Sequence, residues 1–250
     1  MASPSLSVER EQIVNAARYL ADESGVLSHT GHGNMSVRVS GTADQMLLTA
    51  VSRITRVSSE NLAVVGFDGT VLDGRMDPTA AEIVAMHAVV YKHKPDVQAV
   101  IHTHSPRAST FALAQVPLPC QYEALLRFGV AEDIPVAPWG PRGSDESVRY
   151  IAETIQAHPK VMAVLLANHG LLAFGPDIMV AAALISVMEE AADMTLGAAS
   201  IGGAKPFPAG ALEAVRERLR QFPGSLPLAD EVARFVAKPL DETGFANPGG

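Results

Sequence analysis

Apolar positions recur along this chain with two periods, one typical of helices and the other typical of strands. Helices are predicted where apolar residues return every three or four positions, over residues 6–24, 79–93, 177–199 and 209–221. Strands are predicted where short apolar runs lie between turn residues, over residues 34–39, 45–49, 62–66, 134–137, 161–167 and 171–174. A further strand runs from Ala99 into a segment with two histidines. Since helices and strands are mixed along the chain, we expect an α/β sandwich with one central sheet covered by helices.

The length and composition fit a single globular domain followed by a tail. The chain has 250 residues, of which 48% are hydrophobic and 18% are charged. This is an ordinary composition for a chain that buries one sizeable core. Prolines at positions 223, 227, 239 and 248 interrupt the last segment. We therefore predict one domain over residues 1–222 and a proline-rich C-terminal tail over residues 223–250.

Charge and cysteine content argue against several classes of protein. The net charge is -8 and the chain has no run of Lys or Arg, so neither nucleic acid nor an anionic membrane is an expected partner. Cys120 is the only cysteine, which leaves no intrachain disulfide framework and no zinc finger. Residues 1–10 lack the features of a signal peptide, and the most apolar stretch, residues 179–187, is too short to span a bilayer. We expect a cytoplasmic protein.

Three histidines are the strongest candidates for chemistry. His102 and His104 are two positions apart on a predicted strand, so their side chains point to the same face. His169 interrupts an apolar run in Asn168-His169-Gly170, where glycine permits an unusual turn. The pair His102 and His104 alone is as typical of structural histidines as of ligands, and His169 alone is more typical of a packed core residue. Together they supply the three protein ligands that an open catalytic metal site needs.

A carboxylate is the natural complement to such a site, and Glu82 is the candidate. It lies at the start of the predicted apolar helix over residues 79–93. Its role is either to stabilise the first turn through the helix dipole or to act at the site as a fourth ligand or general acid/base. His87 and His93 belong to the same helix, and we interpret both as packing or surface residues.

Four ordered motifs resemble the class II aldolase/adducin family over roughly residues 8–200. They are Gly31-His32-Gly33-Asn34-Met35-Ser36-Val37-Arg38, Pro78-Thr79-Ala80-Ala81-Glu82, His102-Thr103-His104-Ser105 and Asn168-His169-Gly170. The resemblance implies a single-domain α/β/α sandwich with a mainly antiparallel sheet, and a C4 homotetramer with active sites at subunit interfaces. It also implies one divalent ion per subunit, zinc or manganese, on His102, His104 and His169. The family's catalytic glutamate falls on Glu82, and a tyrosine near the reacting group falls, with a weaker match, on Tyr122.

The chain departs from the family's sugar-phosphate aldolases at the residues that hold phosphate. Those enzymes use a Gly-Asn pair, a Thr-Gly pair and a Ser-Ser pair directly before the glutamate. Gly33-Asn34 is present here, but the other two pairs read Val51-Ser52 and Ala80-Ala81. Because alanine side chains donate no hydrogen bonds, a buried phosphate would lose part of its binding. The sequence therefore predicts a substrate other than a sugar phosphate.

Arg53 indicates a carboxylate substrate instead, because a guanidinium group binds carboxylate in a bidentate manner. An ordinary surface arginine is the alternative, and His32 likewise contacts either substrate or solvent. The predicted substrate-binding residues are His32, Gly33, Asn34, Ser52 and Arg53.

These residues together predict a metal-dependent carbon–carbon lyase. A divalent ion chelates two neighbouring substrate oxygens and stabilises the negative charge that develops as the bond breaks. We favour decarboxylation of a hydroxylated aromatic or heteroaromatic carboxylate, with Glu82 or Tyr122 transferring the proton. One alternative is an aldolase that acts on a hydroxy-keto acid or a sugar phosphate. Another is a non-catalytic scaffold like adducin, although a scaffold has no need of three metal ligands.

Overall fold

Eight strands form one mixed sheet in the computed structural model, which describes residues 6–130 and 132–221. The strands are β1 (Gly33–Arg38), β2 (Gln45–Thr49), β3 (Leu62–Gly66), β4 (Val71–Asp73), β5 (Ala99–Thr103), β6 (Val136–Ala137), β7 (Ala163–Leu166) and β8 (Gly170–Gly175). Their order is β4-β3-β2-β1-β5-β8-β7-β6. Only β6 and β7 pair in parallel among these strands, so the predicted mainly antiparallel sheet is confirmed.

Helices cover both faces of the sheet, as predicted. They are α1 (Ser7–Arg18), α2 (Pro78–Ala81), α3 (Val84–His93), α4 (Pro106–Ala114), α5 (Glu123–Arg127), α6 (Asp145–Ala157), α7 (Ile178–Ala199) and α8 (Ala211–Gln221). A π-helical turn, Tyr19–Glu23, continues α1. No helix within the described ranges is long and apolar enough to cross a membrane. The predicted tail, residues 223–250, lies outside the described residues.

Alternation along the central strands divides the core into two layers. Ile101 packs in the layer that contains α1, α4 and α7, whereas its neighbour Val100 packs in the layer that contains α3 and α6. Leu171 and Leu172 of β8 divide in the same way. Successive strand residues face opposite sides, so the apolar runs in these strands serve both layers. His102 shares the face of Val100, which is the face covered by α3 and α6.

Some elements differ from those predicted. The single predicted helix over residues 79–93 is two helices, α2 and α3, separated by a turn at Glu82 and Ile83. Helix α4 was not predicted, although Pro106 near its start is a common helix signal. Its first turn is capped from a distance, because the carboxylate of Glu189 on α7 accepts from the amides of Arg107 and Ala108. Such a long-range cap has no local sequence signature.

Candidate metal centre and cleft

The three predicted metal ligands come together at one end of the central strands. His102 lies near the end of β5, His104 follows that strand directly, and His169 lies in the turn between β7 and β8. One ligand nitrogen from each ring lies within 4.8 Å of the other two. The Nε2 atoms of His102 and His104 are 3.1 Å apart. The antiparallel pairing of β5 with β8 sets this arrangement, because it places the β7–β8 turn beside the end of β5.

The neighbouring strands approach His102 and Thr103 very closely, and glycine makes this possible. A Cβ atom on Gly33 of β1 would lie 2.5 Å from the carbonyl oxygen of His102. A Cβ atom on Gly170 of β8 would lie 2.5 Å from the carbonyl oxygen of Thr103. Both distances are far below van der Waals contact. These glycines are therefore required for the strands to pack tightly on both sides of the histidine strand.

The histidine rings have the protonation state that a metal requires. His102 Nδ1–H donates to the carbonyl oxygen of Leu171 at 2.8 Å, which leaves the Nε2 lone pair directed at the cluster. Burial, with smaller contributions from the neighbouring histidines, lowers the pKa of His102 well below its usual value. Burial also lowers the pKa of His104 to about 4 and lowers the pKa of His169. All three rings are thus neutral near pH 7.

This donor set fits a divalent metal ion. Imidazole nitrogens that bind zinc tetrahedrally at about 2.0–2.1 Å are separated from one another by about 3.3 Å. The observed 3.1 Å between His102 Nε2 and His104 Nε2 is close to that separation. Neutral imidazoles suit zinc and several transition metals, so the donor set leaves the identity of the metal open.

A cleft of about 290 Å³ opens over the histidine cluster. This volume is at the lower end for small-molecule sites, so it suits a small substrate. Of the predicted substrate-binding residues, His32, Gly33, Asn34 and Ser52 line the cleft. Arg53 is exposed and is not among the lining residues. Its main chain forms an isolated bridge with His32, which does line the cleft.

Glu82 faces the cleft from the turn between α2 and α3. Its side chain is 54% exposed, and Oε2 lies 3.3 Å from Nε of Arg142. Because Glu82 lies outside both helices and lines the same cleft as the histidines, its position favours a role at the site over helix stabilisation. The carboxylate is accessible to a ligand and already lies next to a cation.

Arg142 is the principal residue that sequence reasoning missed. It lies in the loop of residues 138–143, between β6 and α6, and several residues of this loop line the cleft. Among the described residues that line the cleft, Arg142 is the single Lys or Arg. The available signal was an arginine in the Pro- and Gly-rich run Pro138-Trp139-Gly140-Pro141-Arg142-Gly143 before a helix. That run is typical of a loop, but it does not indicate which site the loop reaches.

Tyr122 lies away from the cleft within this chain. It precedes α5 and packs against the core layer that contains α7, whereas the cleft opens beside α3 and α6. Burial and the nearby Glu190 carboxylate raise the pKa of Tyr122. Tyr122 is not among the described residues that line the cleft, so its predicted role in proton transfer stays a prediction.

Comparisons with known proteins agree with the fold and identify the family. The model of the class II aldolase and adducin N-terminal domain matches residues 11–196. A 5-deoxy-D-ribulose 1-phosphate aldolase from Bacillus thuringiensis serovar kurstaki is 29% identical over 223 residues, which is 87% of this chain and 98% of that protein. A 3-oxo-tetronate 4-phosphate decarboxylase from Haemophilus influenzae is 31% identical over 175 residues, which is 66% of this chain and 74% of that protein.

A solved structure supports the same fold for this chain. The structure of an L-fuculose 1-phosphate aldolase superposes with a TM-score of 0.73 at 25% identity, and the match covers 88% of this chain and 98% of that one. Class II aldolases use a divalent metal, typically zinc, and the histidine cluster is a set of residues that could hold one. With the family model matching most of the described chain, this protein belongs to the class II aldolase/adducin family.

Proposed function

We propose that this chain is a divalent-metal-dependent carbon–carbon lyase that acts on a small anionic hydroxy-keto compound. The observation that carries the proposal is the joint presence of the three-histidine cluster, Glu82 and Arg142 in one cleft of about 290 Å³. The histidines are a metal-binding set, the carboxylate is a proton acceptor, and the guanidinium group is a binding group for an anion. A lyase of this class needs all three functions.

His102, His104 and His169 would hold the ion. When bound, a divalent ion would polarise the substrate oxygens and stabilise the negative charge that develops next to the broken bond. Glu82 would remove or return a proton at a substrate hydroxyl or carbon, because its carboxylate is 54% exposed and Glu82 lines the same cleft as the cluster.

Arg142 would bind the anionic group of the substrate. A guanidinium group has five N–H donors in a fixed planar arrangement, and a carboxylate or phosphate can accept from two of them at once. This assignment gives Arg142 the role that the sequence predicted for Arg53, which stays outside the cleft of its own chain.

The identity of the anion is less restricted than the sequence indicated. Ala80, one of the residues in place of the serine pair, is fully buried, and the cleft has other polar groups in His32, Asn34, Ser52 and Arg142. A phosphate group is therefore compatible with this site. The relatives named above act on phosphorylated sugars or sugar acids, and their names give no support to an aromatic substrate. We now favour the aliphatic alternative over the hydroxylated aromatic carboxylate.

Two reactions are compatible with these residues. Aldol cleavage of a short ketose phosphate is our first proposal, supported by the aldolase that covers 87% of this chain. Decarboxylation of a 3-oxo acid is the second, supported by the decarboxylase at 31% identity. In both reactions negative charge develops on a carbon next to a carbonyl group, so a divalent ion held by His102, His104 and His169 would stabilise that charge in either one.

The assembly is also a proposal. The family resemblance implies a C4 homotetramer with active sites between subunits, and in such an assembly Tyr122 would reach the cleft of a neighbouring copy. Sedimentation equilibrium and a Tyr122→Phe variant test this together. A tetramer in which this variant has reduced turnover is expected, and a monomer with full activity would contradict it.

The reaction is tested with the zinc- or manganese-loaded protein and three groups of compounds. They are ketose 1-phosphates, 3-oxo acids with and without phosphate, and ortho-hydroxylated aromatic carboxylates. Aldehyde release and carbon dioxide release are measured, with His169→Ala as the control for contaminating activity. We expect metal-dependent turnover in the first or second group. Turnover confined to the aromatic group would restore the original substrate hypothesis, and no turnover with a bound metal would favour a scaffold.

A further inference from the structure

A buried row of polar side chains lies behind the cleft, and the reaction proposed above does not use it. Asn34 and Ser36 belong to β1, and His87 and Tyr91 lie one turn apart on α3. Each of the four is at most 5% exposed. His87 Nε2 lies 2.5 Å from Asn34 Oδ1, and His87 Nδ1 lies 2.7 Å from Ser36 Oγ. The hydroxyl of Tyr91 lies 2.8 Å from the same Ser36 oxygen.

The orientation of the Asn34 amide, with Oδ1 towards His87, sets the direction of the hydrogen bonds. An amide oxygen only accepts, so His87 Nε2 carries a proton and donates to Asn34 Oδ1. Burial lowers the pKa of His87 to about 3, so the ring is neutral and Nδ1 carries no proton. Nδ1 therefore accepts from the Ser36 hydroxyl, and the Ser36 oxygen accepts from Tyr91. All donations run the same way, from Tyr91 towards Asn34.

The end of this row determines what Asn34 presents to the cleft. Its Oδ1 is occupied by His87, so Nδ2 is the polar atom left for the cleft, which Asn34 lines. Among residues 6–130 and 132–221, no protein group accepts from Nδ2. A reversed amide would need the other tautomer of His87, with the proton on Nδ1 and every donation in the row running the opposite way. The tautomer of His87 and the orientation of the Asn34 amide are therefore coupled.

We propose that His87, supported by Ser36 and Tyr91, is a positioning residue that holds the Asn34 amide with its NH2 group towards the cleft, where it binds an oxygen of an anionic ligand. An amide held in this way is an oriented donor, and a ligand oxygen binds to it without the cost of ordering the side chain. The proposal rests on the anion-binding part of the proposed function and not on which bond the enzyme breaks.

The first test measures the tautomer of His87. Zinc-loaded protein labelled with 15N-histidine is examined by a long-range 1H–15N correlation spectrum, and His87→Gln assigns the signal. We expect a neutral ring with the proton on Nε2. A proton on Nδ1, or a charged ring, at pH 7 would reverse the row and overturn the proposal.

The second test measures ligand binding with inorganic phosphate and malonate as probes. Titrations of the zinc-loaded protein should give an affinity that falls about tenfold in Asn34→Ala and by a similar factor in His87→Leu. In His87→Gln the side-chain amide retains a donor near the Nε2 position, so most of the affinity should return. The matched control is His93→Leu, because His93 is exposed on the same helix and contacts Gln156. It should bind the probes like the wild type.

The outcomes separate positioning from a merely structural role. A folded His87→Leu protein with wild-type affinity for both probes would overturn the proposal, and so would wild-type protein that binds neither probe. If His87→Leu does not fold, the nearly isosteric Tyr91→Phe takes its place, with an expected loss of affinity of about threefold. A folded Tyr91→Phe protein with wild-type affinity would then overturn the proposal. A protein that binds phosphate through His87 and Asn34 but cleaves no substrate would contradict the proposed reaction only.

Discussion

The two sides of the cleft are constructed differently. On one side, His102 and Asn34 belong to central strands, and β1, β5 and β8 hold them in a continuous ladder. On the other side, Glu82 lies in a turn and Arg142 in a loop, with side chains 54% and 48% exposed. A metal requires ligands at fixed distances, which the buried strands provide. A substrate is selected by groups that can differ among relatives, and loops tolerate such differences.

Removal of one histidine of the cluster should have the largest effect. His169→Ala leaves two imidazoles for the metal, so we expect the bound metal to be largely lost and turnover to fall by about 10³-fold or more. This exceeds the roughly 10–100-fold loss that is typical when only a hydrogen-bond partner of a ligand is removed. Elemental analysis measures the bound metal and an activity assay measures turnover. His158→Ala is the control, because His158 is a partly exposed histidine that pairs with Glu132. Full metal content in His169→Ala would exclude this ligand.

On the loop side, Glu82→Gln should lower turnover and leave the metal bound. The substitution retains the shape and removes the basicity, so turnover should fall by about 10²–10⁴-fold if Glu82 transfers a proton. Circular dichroism and metal content should match the wild type. Near-normal turnover would return Glu82 to the helix-stabilising role that the sequence left open.

The buried side should also make stability depend on pH. The pKa of His87 is about 3 in the folded protein, against 6.5 for an unperturbed histidine, so the unfolded chain binds a proton that the folded chain does not. Stability is therefore present above about pH 6.5 and falls as the pH falls towards 3. Between pH 7 and pH 4, His87 alone should remove about 3 kcal/mol from the free energy of unfolding.

Urea denaturation of metal-free protein at several pH values measures this dependence. His87→Gln lacks the titrating group, so its free energy of unfolding should change less over the same range. Equal pH dependence in the two proteins would show that His87 does not carry the effect. His104, with a pKa of about 4, contributes in the same direction in both proteins.

Arg142→Ala should have the smallest effect of the four, and it should act on binding more than on turnover. Loss of a charged hydrogen bond costs about 1.5–3 kcal/mol, which corresponds to a rise in KM of about 10–150-fold for an anionic substrate. Arg149→Ala is the matched control, because Arg149 lies on the nearby helix α6 and pairs with Glu153 at the surface. An Arg142→Ala enzyme with unchanged KM and reduced turnover would indicate instead that Arg142 acts through Glu82.

Local sequence patterns predicted most of the regular elements and the cluster of three histidines. The spacing of His102 and His104 required only that β5 be a strand, since alternate residues share a face. His169 required the β7–β8 turn, which Asn168-His169-Gly170 indicates, and Asn168 indeed has a positive φ of 57°. The break between α2 and α3 was missed because residues 79–93 carry no Pro or Gly to interrupt the apolar pattern.

Contacts between distant segments decided the features that local patterns did not predict. The α4 cap joins Glu189 to Arg107, the cleft joins Arg142 to Glu82, and the buried row joins Asn34 to His87. His87 was interpreted as a packing or surface residue, because its sequence neighbourhood is an ordinary apolar helix. Its partners on β1 are 51 and 53 positions away, so no local pattern could identify them.

The sequence by itself therefore determined the family, the α/β sandwich and the three histidines, because strand periodicity and short motifs are local patterns that a few neighbouring residues define. Only the tertiary structure decided that Arg142 and not Arg53 lines the cleft, that Tyr122 lies outside the cleft of its own chain, and that Asn34 is held by a buried histidine. Loop paths and buried hydrogen bonds depend on how helices pack against the sheet. That packing is a property of the whole core, which no local segment encodes.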